Sequence, residues 1–105
     1  MRIYITDQDL CDLKDGKKTK RYGKYLKDKK FMRGLYMVFD IMSQVEKSRE
    51  LSLYSFLHYE QLRGSGLSSV RIVNGMVERL LFKEVDDGFE VEVIELNTQH
   101  YGNKK

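Results

Sequence analysis

The chain has a single cysteine, Cys11, among its 105 residues. No internal disulfide is available, and a reducing, cytoplasmic setting fits. His58, His100 and that lone cysteine match no zinc-ligand spacing, so neither a metal nor another cofactor is expected. The longest apolar run, Leu35–Phe39, is five residues, far short of the ~20 that span a bilayer, and no membrane partner is expected. The opening M-R-I-Y-I-T-D holds no apolar signal core and no lipidation motif. Repeats, low-complexity tracts and linkers are also missing. Residues 1–105 therefore read as one domain, large enough for a modest core.

What is present is charge, unevenly placed. Overall the chain is +3, with 41% hydrophobic and 33% charged residues. Residues 14–33 hold ten Lys/Arg and two Asp, a net of +8, whereas the remainder carries nine basic and fourteen acidic residues, a net of −5. A concentrated basic segment is the footprint of a polyanion-binding surface, and equally the look of a solvated helix face. Charge alone leaves both readings open.

The hydrophobic pattern predicts the order β-α-α-β-β-β-β, an α+β fold with two N-terminal helices packed on a mostly antiparallel sheet. Arg2–Ile5 is a short strand. Thr6-x-x-Asp9 has the form of a capping box ahead of a short helix that turns Leu10 and Leu13 inward and closes at Gly16. A longer helix is expected from about Tyr25 to about Lys47, with Phe31, Leu35, Val38, Met42 and Val45 at helical spacing. Gly34 inside it costs roughly 1 kcal/mol relative to alanine and suits a close approach by another element. Four strands follow, at Leu57–Leu62, Ser68–Val73, Met76–Val85 and Phe89–Leu96. Asn74-Gly75 is the strongest hairpin signal.

A two-residue Asn74-Gly75 turn would set Val73 opposite Met76, Ile72 opposite Val77 and Val70 opposite Arg79. Arg79 would then share an apolar face with Val70 and Ile72 and would need a partner at its edge: a core-edge salt bridge and a functional cation are both open. Arg71 would point to the other face beside Glu78, as a weak cross-strand ion pair. His58 and Glu60, two apart on one strand, would share a face, and either can serve as a base. Arg63 would join them only if the strand ends or bulges near Gly64. His100-Tyr101 follows the last strand.

These fragments, in this order, resemble the RelE/ParE superfamily of toxins from type II toxin–antitoxin systems, most of all its YoeB- and HigB-type messenger-RNA interferases. E-Q-L-R-G at 60–64, S-V-R-I at 69–72, R-L-L-F at 79–82 and H-Y at 100–101 are similar to that group's acidic (or His)-x-x-Lys-Gly, Ser-x-Arg-Ile, Arg-Leu-Val-Tyr and terminal His-Tyr or Tyr-His elements. Six residues separate Ile72 from Arg79 where the YoeB pattern has four, an insertion that preserves strand parity.

The resemblance implies a metal-independent endoribonuclease that cleaves messenger RNA, with the ribosome (30S A site) and a cognate antitoxin as partners. It implies Glu60 as general base, Arg79 as phosphate clamp, His100 as general acid and Tyr101 stacked on a base. The Glu60 and His100 roles are exchangeable. Arg63 and Arg71 would add RNA contacts, and Lys17, Lys18, Lys20, Arg21 and Lys24 would meet ribosomal RNA. Two other readings accompany this one: a ParE-like gyrase poison acting through protein contacts, and a non-catalytic nucleic-acid-binding module.

Overall fold

The computed structural model describes residues 1–98. Strand β1 (Arg2–Ile5) runs into helix α1 (Gln8–Lys14) through a cap one residue later than the sequence pattern places it. Asp7, not Thr6, is the N-cap: its Oδ1 accepts from the amides of Asp9 at 3.0 Å and Leu10 at 3.4 Å. Thr6 is still engaged by the sheet, its amide and hydroxyl both donating to the Val93 carbonyl. The aspartate therefore satisfies the free helical N–H groups instead.

Helix α2 (Lys29–Gln44) is shorter at both ends than the expected 25–47. Asp28 takes an extended backbone and accepts from the Phe31 amide at 3.0 Å, so the helix starts after it. Tyr25 falls in a separate 3₁₀ turn, Gly23–Lys27. The expected inward stripe holds: Phe31, Leu35, Val38, Met42 and Val45 are all buried, together with Leu10 and Leu13 of α1. Gly34 is where the backbones meet. A Cβ there would lie 2.6 Å from the Ile72 carbonyl oxygen and 3.0 Å from Val73 Cγ2.

The sheet has five strands in the order β1-β5-β4-β3-β2. Its later members are β2 (Glu60–Leu62), β3 (Leu67–Arg71), β4 (Arg79–Val85) and β5 (Glu90–Asn97). Every pairing is antiparallel except β1 with β5. The architecture is the anticipated helical pair on a mostly antiparallel sheet. Val70, Leu80, Phe82, Val91, Val93 and Leu96 meet the two helices in a common core.

The register between β3 and β4 differs from the expected one by a single residue, and the difference matters. The observed pairs are Arg71 with Arg79, Val70 with Leu80 and Ser69 with Leu81. Asn74-Gly75 does form the turn, with the Met76 amide donating to the Val73 carbonyl at 3.0 Å. Gly75 has φ +92° while Asn74 is not at positive φ. That is the pattern of a type II turn, not the type I′ turn whose twist closes a tight two-residue hairpin. Val77 is accommodated as an extra residue, and Ile72 N–H donates to Glu78 instead. A one-residue slip moves every side chain to the opposite face. Arg79 therefore does not share the apolar face of Val70 and Ile72; it stands on the face turned away from the helices.

Candidate functional site

On that face the pairing brings four polar side chains into one row. Glu60 is the partner of Ser69 across β2 and β3, and Arg71 is the partner of Arg79 across β3 and β4. Residues 69 and 71 are two apart on β3 and share a face. Arg79 Nη1 donates to Ser69 Oγ at 2.8 Å and lies 3.7 Å from Glu60 Oε1. Its side chain is only 11% exposed, whereas that of Glu60 is 51% exposed. The Glu60 contact is thus a loose ion pair with one wet partner, of a kind worth about 0–1 kcal/mol. Arg79 can exchange Glu60 for an incoming anion at little cost.

Arg71 stands beside it as a second cation. Its Nη1 donates to the Met76 carbonyl at 2.8 Å, and its buried Nε has no hydrogen-bond partner among the described residues. The expected Arg71–Glu78 ion pair does not form, because the register slip parts the two faces. Glu78 is buried and accepts instead from the Tyr25 hydroxyl at 2.8 Å.

His58 is not on a strand with Glu60. It closes the 3₁₀ turn Ser55–Leu57 in a left-handed conformation, φ +49°, and its Nε2 lies 3.0 Å from Asn74 Oδ1. Strand β2 begins only at Glu60, so strand alternation does not put His58 and Glu60 on one face. Arg63 is exposed in the turn between β2 and β3, where Gly64 and Gly66 take φ near +76° and +75°. Strand β2 does end before it, as its joining the site required. His100 and Tyr101 lie outside the described residues.

The basic segment is tied to the same end of the sheet by two tyrosines. Tyr22 OH donates to Asp7 Oδ2 at 2.8 Å and accepts from the Leu96 amide at 3.2 Å. Leu96 precedes Asn97, the β5 partner of Arg79. Tyr25 reaches Glu78, the residue before Arg79. Burial is the main reason the Tyr22 phenol is pushed up to about 12, opposed by the Leu96 amide and reinforced by Asp7. Tyr25 is raised as well, first by burial and then by Glu78. Both stay neutral hydrogen-bond donors at neutral pH.

Lys17, Lys18, Lys20 and Lys24 are exposed. Arg21 is different. Its guanidinium contacts Asp7 at 3.2 Å and Glu95 at 2.9 Å, and its pKa is raised, chiefly by the Glu95 hydrogen bond. Its charge is already matched, so of the five expected cations it is the one with least to offer a phosphate. Arg21, Tyr22, Glu95, Leu96, Asn97 and Thr98 line an open cavity of about 280 Å³ beside this end of β5.

Sequence reasoning missed Ser69 as a ligand of Arg79, and missed Tyr22 and Tyr25 as tethers. The available signals were the hydroxyl two residues before Arg71 and a pair of tyrosines three apart inside an otherwise basic stretch. Chemically, the row offers a solvated carboxylate and two neighbouring guanidiniums. Such a surface suits a phosphodiester.

No family model matches the sequence, and no curated protein matches it. Among solved structures, a chain of the YoeB-YefM complex from Staphylococcus aureus superposes with a TM-score of 0.56. It is 19% identical, and the match covers 96% of this chain and 98% of that one. At that identity the likeness shows the fold, which is RelE-like.

Proposed function

We infer that the protein is a toxin of a toxin–antitoxin pair that cleaves messenger RNA on the ribosome without a metal. The observation that carries this reading is the arginine pair, Arg71 and Arg79, set next to a solvated Glu60 at the sheet end where the basic segment is tethered. The RelE-like fold and the sequence resemblance support it. The neighbouring fold is that of a chain in a two-protein complex, and the partner proposed here is likewise a cognate antitoxin.

RNA supplies its own nucleophile. Glu60 takes the proton of the 2′-hydroxyl, and O2′ attacks the adjacent phosphorus. Negative charge on the five-coordinate phosphorus is met by Arg79, with Arg71 as second cation. His100 gives a proton to the departing 5′ oxygen, leaving a 2′,3′-cyclic phosphate and a 5′-hydroxyl. β5 ends at Asn97, opposite Arg79. His100 is three residues further on, a span of at most about 10 Å. Tyr101 stacks on a base, and Arg63 is a further phosphate contact. Lys17, Lys18, Lys20 and Lys24 hold ribosomal RNA by charge.

The test is cleavage of ribosome-bound message by the purified chain, with the product ends identified. Cyclic phosphate and 5′-hydroxyl ends, lost in Arg79→Ala and Glu60→Gln, are expected. Intact message combined with double-strand breaks in DNA of expressing cells would overturn the reading in favour of gyrase poisoning.

A further inference from the structure

We propose that Ser69 is a positioning residue that holds the Arg79 guanidinium off Glu60, keeping the base free and the cation in place for phosphate. The inference rests on the ribonuclease reading for its consequence, and on geometry alone for its premise.

The geometry is specific. The same nitrogen, Arg79 Nη1, is shared between Ser69 Oγ at 2.8 Å and Glu60 Oε1 at 3.7 Å. The first is a full hydrogen bond and the second is not. Ser69 is the direct cross-strand partner of Glu60, so it stands where a guanidinium would pass to close on the carboxylate. Its side chain is fully buried, which fixes the hydroxyl. Ser68, one residue earlier, is turned to the other face and hydrogen-bonded to Glu84, so it cannot substitute. With the Ser69 hydroxyl removed, Glu60 Oε1 is an acceptor 3.7 Å from that nitrogen. The guanidinium would close the gap and make a tight pair. A carboxylate held against a cation is a weaker base, and a cation held by a carboxylate is a poorer phosphate ligand.

The substitution Ser69→Ala is the probe, with Ser69→Thr as the variant that restores the hydroxyl in a β-compatible side chain. In single-turnover cleavage of ribosome-bound message, Ser69→Ala should lose about tenfold to a hundredfold in rate, the span of one hydrogen bond to a charged group. Affinity for the ribosome should change less than about twofold, and the acid limb of the pH–rate profile should move to lower pH. Ser69→Thr should recover most of the rate and the original limb. A second measurement needs no activity. In ¹⁵N spectra of the free protein, the Arg79 side-chain resonance should shift or broaden in Ser69→Ala and return in Ser69→Thr. An unchanged Arg79 resonance in Ser69→Ala overturns the positioning role whatever the protein cleaves. An unchanged rate and limb in Ser69→Ala, with Arg79→Ala inactive, overturns its catalytic consequence. Intact message with the unsubstituted chain instead overturns the ribonuclease reading, and the spectra then decide Ser69 by themselves.

Discussion

Ser68 and Ser69 are chain neighbours, both buried, and their hydroxyls serve opposite faces of the sheet. Ser68 donates to Glu84, a carboxylate that also accepts from Ser48 Oγ at 2.7 Å and Tyr59 OH at 2.6 Å. Ser69 accepts from Arg79, which lies 3.7 Å from the half-exposed Glu60. Among the described residues, one carboxylate is saturated with donors and the other is left underpartnered, with a loose contact to Arg79. Burial alone would push Glu84 up, yet hydrogen bonds from Ser68, Tyr59 and Ser48 outweigh it and hold the carboxyl below the usual range. A saturated carboxylate is a fastener joining the Ser48–Leu53 turn to β3 and β4. An underpartnered one next to cations is available for chemistry. Partner count, more than burial or charge, separates the two.

The largest expected effect lies on the available side. Arg79→Ala should lower cleavage by about 10²–10³-fold, corresponding to roughly 3–4 kcal/mol of transition-state stabilisation, with little change in melting temperature. Unimpaired cleavage would erase the contrast between the faces. On the saturated side, Glu84→Gln should cost about 1.5–3 kcal/mol of stability, measured by urea unfolding, while activity per folded molecule is retained. Should Glu84→Gln instead lower the cleavage rate and leave stability alone, the two carboxylates would have been assigned the wrong way round.

The contrast extends to pH. A lowered carboxyl pKa means that the Glu84 contribution is present above the ordinary carboxylate range and is lost as pH falls through the lowered value. The Tyr59 phenol, pushed up to about 12 first by burial and then by Glu84, behaves oppositely. Its contribution is complete below the ordinary phenol value near about 10 and is lost as pH rises from there toward 12. Unfolding free energy measured against pH should fall on both sides, and the acid-side fall should be shallower in Glu84→Gln.

Gly34→Ala sets two terms against each other. Alanine favours the helix by roughly 1 kcal/mol, whereas the 2.6 Å approach to the Ile72 carbonyl forces the backbones apart at about 1–3 kcal/mol. A net loss of up to about 2 kcal/mol in chemical unfolding is expected, and a gain in stability would show that the 72–78 loop gives way freely. The smallest effect concerns the basic segment. Neutralising Lys17, Lys18, Lys20 or Lys24 should flatten the salt dependence of ribosome binding, by about 0.7–0.9 in log–log slope for each phosphate the protein no longer neutralises. Arg21→Gln should change it least, because Asp7 and Glu95 already match that charge.

For several elements local chemistry was enough. The helical spacing of Phe31, Leu35, Val38 and Met42 names the buried stripe of α2, and Gly34 marks a close approach without naming its neighbour. Asn74-Gly75 marks the turn. Each of these is a short-range property, set by period or by the conformational range of one residue. Glu60, Arg71 and Arg79 are also legible as chemistry, since a carboxylate and two arginines on neighbouring strands are visible in the order of the chain.

What the sequence could not decide was which of those residues face one another. Val77, a single extra residue after the turn, turned Arg79 from the core face to the outer face, broke the expected Arg71–Glu78 pair and put Arg71 beside Arg79. Side-chain facing in a sheet has a period of two, so an error of one residue moves every side chain of the strand to the other face. The partners of Ser69, Tyr22, Tyr25 and Glu84 are non-local for the same reason: hydrogen bonds join residues 10 to 74 positions apart in the chain, and only the folded register brings them together. Composition and periodicity determined the elements and the charge of the surface, and tertiary pairing decided which carboxylate is fastened and which stays exposed beside the arginines.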